Sequence, residues 1–118
     1  MKIPMQMGGV ESVNHTFSTG FSDVNNRTRI IRKGDTITAY ICVKYNQNIT
    51  NANSYPVLSF DASLVPVTAV FTVAQMLGTI FSLNVNEGDH TIRIAKIVGN
   101  DYEANKGIYG EISWHIGQ

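Results

Sequence analysis

From Thr36 to Tyr45 apolar and polar positions alternate without a break. Ile37, Ala39, Ile41, Val43 and Tyr45 fall on one side; Thr36, Thr38, Tyr40, Cys42 and Lys44 fall on the other. A period of two is the repeat of a β-strand, whose successive side chains point to opposite faces, so this run predicts a half-buried strand. The same period recurs along the chain. Glu11 to Phe21 sets Val13, His15 and Phe17 against Asn14, Thr16 and Ser18. Thr28–Arg32, Val57–Phe60 and Val67–Ala74 form shorter runs. Thr79–Val85 points Phe81, Leu83 and Val85 inward, and His90–Val98 carries Ile92 and Ile94 on one face. In Ile108–Ile116, Ile108, Gly110, Ile112, Trp114 and Ile116 oppose Tyr109, Glu111, Ser113 and His115.

Turn chemistry separates these runs. Lys33-Gly34-Asp35, Gly78 and Asn86-Glu87-Gly88-Asp89 are turn signals, and Pro66 holds Val65 extended. Two longer polar segments stand out. Asn46–Ser54 contains four Asn, a residue that supports turns and left-handed backbone. Gly99-Asn100-Asp101 and Asn105-Lys106-Gly107 bound the second. No 12-residue window carries a helical stripe, and Val73–Leu77 predicts one helical turn at most. Short strands with regular turns predict one all-β domain, an antiparallel β-sandwich or jelly roll, over residues 11–118. Residues 1–10 are expected to form an extended arm, either a frayed terminus or a segment that docks on a neighbouring protein. They hold no apolar run of leader length, so no signal peptide is expected.

Composition strengthens the β reading. Ile and Val number 24 together, against four Leu, and β-branched side chains favour a pleated surface over a helix. Nine Lys and Arg balance nine Asp and Glu, for a formal net charge of zero. That balance excludes an electrostatic nucleic-acid binder. Hydrophobic residues at 43% exclude a disordered segment, and no stretch reaches the roughly 20 apolar residues of a membrane helix. Zero net charge also leaves little long-range repulsion between copies. Cys42 is the single cysteine, so no intrachain disulfide forms, and its place in an alternating run predicts a packing role.

Catalytic chemistry finds little support. His15, His90 and His115 lie in separate strands, outside any nucleophile-elbow or paired-ligand spacing. Glu111, Ser113 and His115 share a strand face, which reads as the polar side of a terminal strand. Asp61, Glu87, Asp89, Asp101, Glu103 and Glu111 mostly sit at turns, loops and strand ends. Asn14-His15-Thr16, Asn26-Arg27-Thr28 and Asn48-Ile49-Thr50 match the glycosylation pattern as products of an Asn- and Thr-rich chain. The expectation is a protein that is not an enzyme and needs no metal or cofactor.

Binding chemistry is better represented. Tyr45 and Tyr55 flank the Asn-rich loop, which carries Asn48 and Asn51, and Asp101 and Tyr102 lie in the second loop. A tyrosine ring can cover the apolar face of a sugar while amides and carboxylates pair with its hydroxyls. Tyr45, Asn48, Asn51, Tyr55, Asp101 and Tyr102 are therefore the expected ligand-binding residues. Trp114 is in register with Ile112 and Ile116 and is expected in the core or at a subunit interface.

The second half has a family cadence. "SLVPVTAVFTVAQMLGTIFSLNVNEGDHTIRI" followed by "GIYGEISWHI" resembles the C-terminal head domains of bacteriophage tail-fibre and baseplate receptor-binding proteins, over about residues 56–118. "VNEGDHTIRI" and "GIYGEISW" are also similar to strands of the C1q and tumour-necrosis-factor-like jelly rolls. Both resemblances imply a homotrimer of β-sandwiches. The first implies a virion protein made in a bacterial host's cytoplasm, binding a host-surface glycan and touching other virion proteins through residues 1–10. It equally allows a structural virion decoration or accessory protein without a receptor.

Overall fold

The structure, a computed structural model, describes residues 9–76 and 78–117. The arm expected at residues 1–10 lies almost wholly outside the described residues. Ten strands run in order: β1 Glu11–Val13, β2 His15–Phe17, β3 Phe21–Asp23, β4 Arg29–Lys33, β5 Thr36–Tyr45, β6 Tyr55–Phe60, β7 Val70–Met76, β8 Thr79–Val85, β9 Thr91–Gly99 and β10 Ile108–His115. They form an antiparallel sheet of order β1-β4-β5-β10-β7-β8-β9-β6-β2, with β3 also pairing β5. β7, β8 and β9 are a meander of sequential hairpins. β5 and β10 pair along nearly their whole length, from Ile108↔Val43 to His115↔Thr36.

The two ends of this order, β1 and β2, are separated in sequence only by Asn14. Val13 pairs Ile30 of β4, whereas His15 pairs Phe60 of β6. One chain segment thus joins both ends of the sheet and nearly closes it. The run expected as one strand from Glu11 to Phe21 is instead three short strands. Periodicity could not reveal the breaks, because Val13, His15 and Phe17 stay on the inner side whichever partner the backbone takes.

A second corner lies where β10 meets β7. Among the described residues, Tyr109↔Gln75 and Gly110↔Ala74 are paired there. A Cβ on Gly110 would lie 2.8 Å from the Ala74 Cβ and 3.1 Å from Leu83 Cδ2. Glycine opposite alanine is what allows the two backbones to approach so closely. The result is an all-β, single-domain sandwich whose edges are joined, close to a flattened barrel.

The turn positions follow their chemistry. Gly34 adopts φ 61 in the β4–β5 hairpin, backbone that L side chains rarely take. The turn suggested at Val73–Leu77 is strand through Met76, because Gln75 and Met76 pair Ile80 and Thr79 of β8. Ala62–Leu64 forms a 3-10 turn that the strand pattern did not predict. Asp61 caps it, accepting Ser63 N–H at 2.9 Å and Ser63 Oγ–H at 2.8 Å. These bonds hold the Asp61 carboxyl below its ordinary range.

Inward-facing residues of the strands make one core. Ile37, Ala39, Val43, Phe81, Leu83, Ile92, Ile94 and Ile108 are fully buried in it. Trp114 belongs to that core, as its register predicts. Its ring lies 4.9 Å from Phe60, and its Nε1–H donates to the Leu64 carbonyl at 2.8 Å. Cys42 is also buried, although it sits on the outward register of β5. The reason is local. β3 and β4 pair different stretches of β5, and the connection between them crosses at Cys42. The Thr28 hydroxyl fills the gap, accepting Cys42 N–H at 3.0 Å and donating to its carbonyl at 2.8 Å.

Candidate functional site

The two polar loops expected to carry binding lie side by side. Ile49 and Tyr102 form an isolated bridge, with backbone bonds of 3.0 and 2.9 Å. Asn105 N–H donates to the Tyr45 carbonyl at 2.7 Å. Asn48 Oδ1 accepts Ala104 N–H at 2.8 Å, so an Asn of the first loop braces the second. At its other end the second loop is held by the β7–β8 turn. Asn100 N–H donates to the Gly78 carbonyl at 2.7 Å, and the buried Thr79 hydroxyl donates to the Asn100 carbonyl at 2.7 Å.

Tyr102 is the pivot of this end, and its expected role in ligand contact is corrected. Its ring is fully buried, edge-on to Phe81 at 5.9 Å. The hydroxyl accepts Tyr45 N–H at 3.0 Å and donates to the Lys106 carbonyl. Burial pushes the Tyr102 phenol above its ordinary pKa, against the opposing effect of the Tyr45 and Lys106 backbone bonds. A ligand therefore cannot use this ring. The sequence placed Tyr102 in a polar loop, and only the Ile49 bridge turns its side chain inward.

The remaining expected residues are placed as follows. Tyr45 is half-buried and stacks on Phe21 at 4.4 Å, over Gly20, where a Cβ would lie 2.6 Å from Tyr45 Cε1. Tyr55 leans on Tyr45 at 5.6 Å, and its hydroxyl donates to Asn51 Oδ1 at 3.0 Å. Asn51 Oδ1 also accepts Asn53 N–H at 3.0 Å. Asn51 and Tyr55 thus fasten one shoulder of the first loop to its base. Asp101 is exposed and pairs with Lys96 Nζ at 2.7 Å.

Beside the second loop runs a groove of about 280 Å³, lined by Met76, Asn100, Asp101, Glu103 and Lys106. It offers carboxylates that accept, an ammonium that donates and an amide that does both, next to a thioether. Glu103 and Lys106 lie within the loop the sequence singled out, but nothing in the pattern told them from their neighbours. Met76 could not have been found from sequence, because only the β7–β8 register carries it to this end. Lys96 arrives through a register shift between Ile80 and Phe81, which sets Lys96 opposite Phe81.

The polar row on β10 is tied sideways to β5. Ser113 Oγ lies 2.9 Å from Thr38 Oγ1, and His115 Nδ1 lies 3.3 Å from Thr36 Oγ1. The three histidines do not share one site. His15 and His90 line one groove with Asp61, and His115 lines another. No helix among the described residues is long and apolar enough to cross a membrane. Neither a scan against protein-family models nor a search of curated proteins returned a match for the chain.

Proposed function

We propose that this protein is a saccharide-binding β-sandwich module that recognises its ligand at the end formed by residues 46–54 and 100–106. The observation that carries the reading is the braced second loop. It is pinned at Asn100, Tyr102 and Asn105, yet it presents Asp101, Glu103 and Lys106 around an open groove. Pre-ordering a loop lowers the entropy lost on binding, which matters for weak ligands such as sugars. Carboxylate, ammonium and amide groups suit a ring of hydroxyls that both donate and accept. The sequence resemblance adds the setting: a phage virion protein of tail-fibre or baseplate type, acting as a homotrimer on a host-surface glycan. Three copies in each trimer, and many trimers on each particle, would multiply a weak single-site affinity.

A glycan array probed with the wild-type chain and with Glu103→Ala and Lys106→Ala tests this. Binding by the wild type that falls at least about tenfold in both variants supports the groove, tenfold corresponding to about 1.4 kcal/mol. Wild-type binding unchanged in both variants overturns it. A second reading, a structural virion component without a receptor, is favoured by an uncharged apolar face elsewhere on the sandwich. It predicts no binding on the array.

A further inference from the structure

The outer face of β7, β8 and β9, with Tyr109 of β10, carries large hydrophobics that no described residue covers. Phe71 is 81% exposed, and Val73, Ile80, Ile97, Val98 and Tyr109 are all exposed large hydrophobics. The pairing brings five of them together, and Ile97 adjoins Val98 at the register shift between β8 and β9. Tyr109, Gln75, Ile80 and Val98 form one cross-strand row, and Val73 and Phe71 continue outward-facing along β7. Together the six residues expose on the order of 600 Å², at the top of the range for the largest patch on a lone soluble domain. With a polar rim, that approaches the roughly 800 Å² per partner of a standard protein interface.

We propose that this face is where copies of the chain meet around a rotation axis, with Val73 in its middle row and Phe71 and Val98 towards its two ends. This deepens the reading above by naming the self-association surface of the homotrimer. The charge pattern selects a second copy as the occupant. Residues near a rotation axis meet their own equivalents, so a charge there would face its like. None of the six exposed residues is charged. The residues paired across it, Gln75, Ser82 and Asn84, are uncharged. Among the described residues, charge on this face lies at its margins: Glu111 on β10, and Arg93 on β9 at the far end of the row Phe71–Asn84–Arg93. A strongly charged partner finds no complement here, and an anionic lipid surface finds no lysine or arginine within the patch. The chain's zero net charge removes the long-range barrier to gathering several copies.

Light scattering coupled to size exclusion tests this on the full chain, with Phe71→Lys and Val98→Lys as variants and Glu103→Ala as a control. Both lysines would sit on exposed positions, and circular dichroism with thermal unfolding verifies that each variant is folded. The expected result is a wild-type mass of three 13.0 kDa copies, a single-copy mass for both lysine variants and an unchanged mass for Glu103→Ala. A two-copy mass abolished by the same lysines supports the face and removes the threefold arrangement. A single-copy wild type, or an oligomer that both lysine variants retain, overturns the proposal. Failure of the saccharide reading would appear separately, as a trimer that binds nothing on the array. A monomeric Phe71→Lys chain should still bind saccharide at its loops, with the gain from several copies lost.

Discussion

The hydroxyl of Tyr102 accepts the backbone N–H of Tyr45 at 3.0 Å, across 57 residues of sequence. The same hydroxyl donates to the Lys106 carbonyl, so one buried phenol joins the end of β5 to both ends of the second loop. Loops held this way keep their shape without a regular ladder, because the buried backbone groups are satisfied by a side chain.

Tyr102→Phe keeps the ring and removes the hydroxyl. It leaves the Tyr45 N–H and the Lys106 carbonyl without that partner, at a cost of about 1–3 kcal/mol. Urea denaturation of the two proteins should show this as a lower midpoint with an unchanged slope.

The same phenol makes stability depend on alkaline pH. Burial raises the Tyr102 pKa above its ordinary 10.0, so the folded state holds the proton more tightly than the unfolded chain. Its contribution is fully present below pH 10 and is lost as pH rises through the higher folded value. Thermal unfolding from pH 9 upward should fall more steeply for the wild type than for Tyr102→Phe. Parallel slopes would remove Tyr102 as the cause.

The corner between β10 and β7 depends on a missing side chain. Gly110→Val places branched carbon against Ala74 and Leu83, where a single Cβ already lies 2.8 Å from Ala74. The strands must separate, and the expected loss is about 1–3 kcal/mol, read by chemical denaturation. Gly34→Ala is a useful contrast, since nothing lies within 4 Å of its added Cβ and only the positive φ opposes it. Its cost should be smaller, about 1 kcal/mol.

Much of the sandwich could be read from alternation alone. β5 and β8 run over the residues their patterns predict, Thr36–Tyr45 and Thr79–Val85, and β10 ends one residue short of its pattern, at His115. These strands are buried on one face, and that burial is what writes a period of two into a sequence. The corners were not legible. At Asn14 the same inward positions serve two different partners, and at Gly110 the meaning of the glycine lies in Ala74, which is 36 residues away. The candidate site was half legible. Composition marked both loops as polar, but their contact rests on Ile49 and Tyr102, two residues whose burial no local pattern announces. Asn48 was foreseen as a ligand contact, yet its carboxamide oxygen is spent on the Ala104 N–H.

That bond gives a test that separates bracing from contact. Asn48→Ala frees the Ala104 N–H at an exposed position, so global stability should change by less than about 1 kcal/mol. Hydrogen exchange in residues 103–106 should accelerate, and saccharide affinity should fall several-fold through loss of loop order.

Cys42 should behave as a protected thiol. Burial, the largest influence, pushes its pKa up, with Arg27 opposing and Asp23 adding to the rise. At neutral pH a thiol-specific reagent should react at least about tenfold more slowly with the native protein than with the urea-unfolded chain. Equal rates would mean that the Thr28 crossing opens readily in solution.

The most direct test of the recognition end is a two-dimensional NMR titration of the labelled full chain with bacterial surface oligosaccharides. The account predicts concentration-dependent shifts confined to residues 46–54 and 100–106, with Glu103 and Lys106 among the largest. Shifts centred instead on Phe71, Val73 and Val98, or none with any saccharide at millimolar concentration, would contradict it.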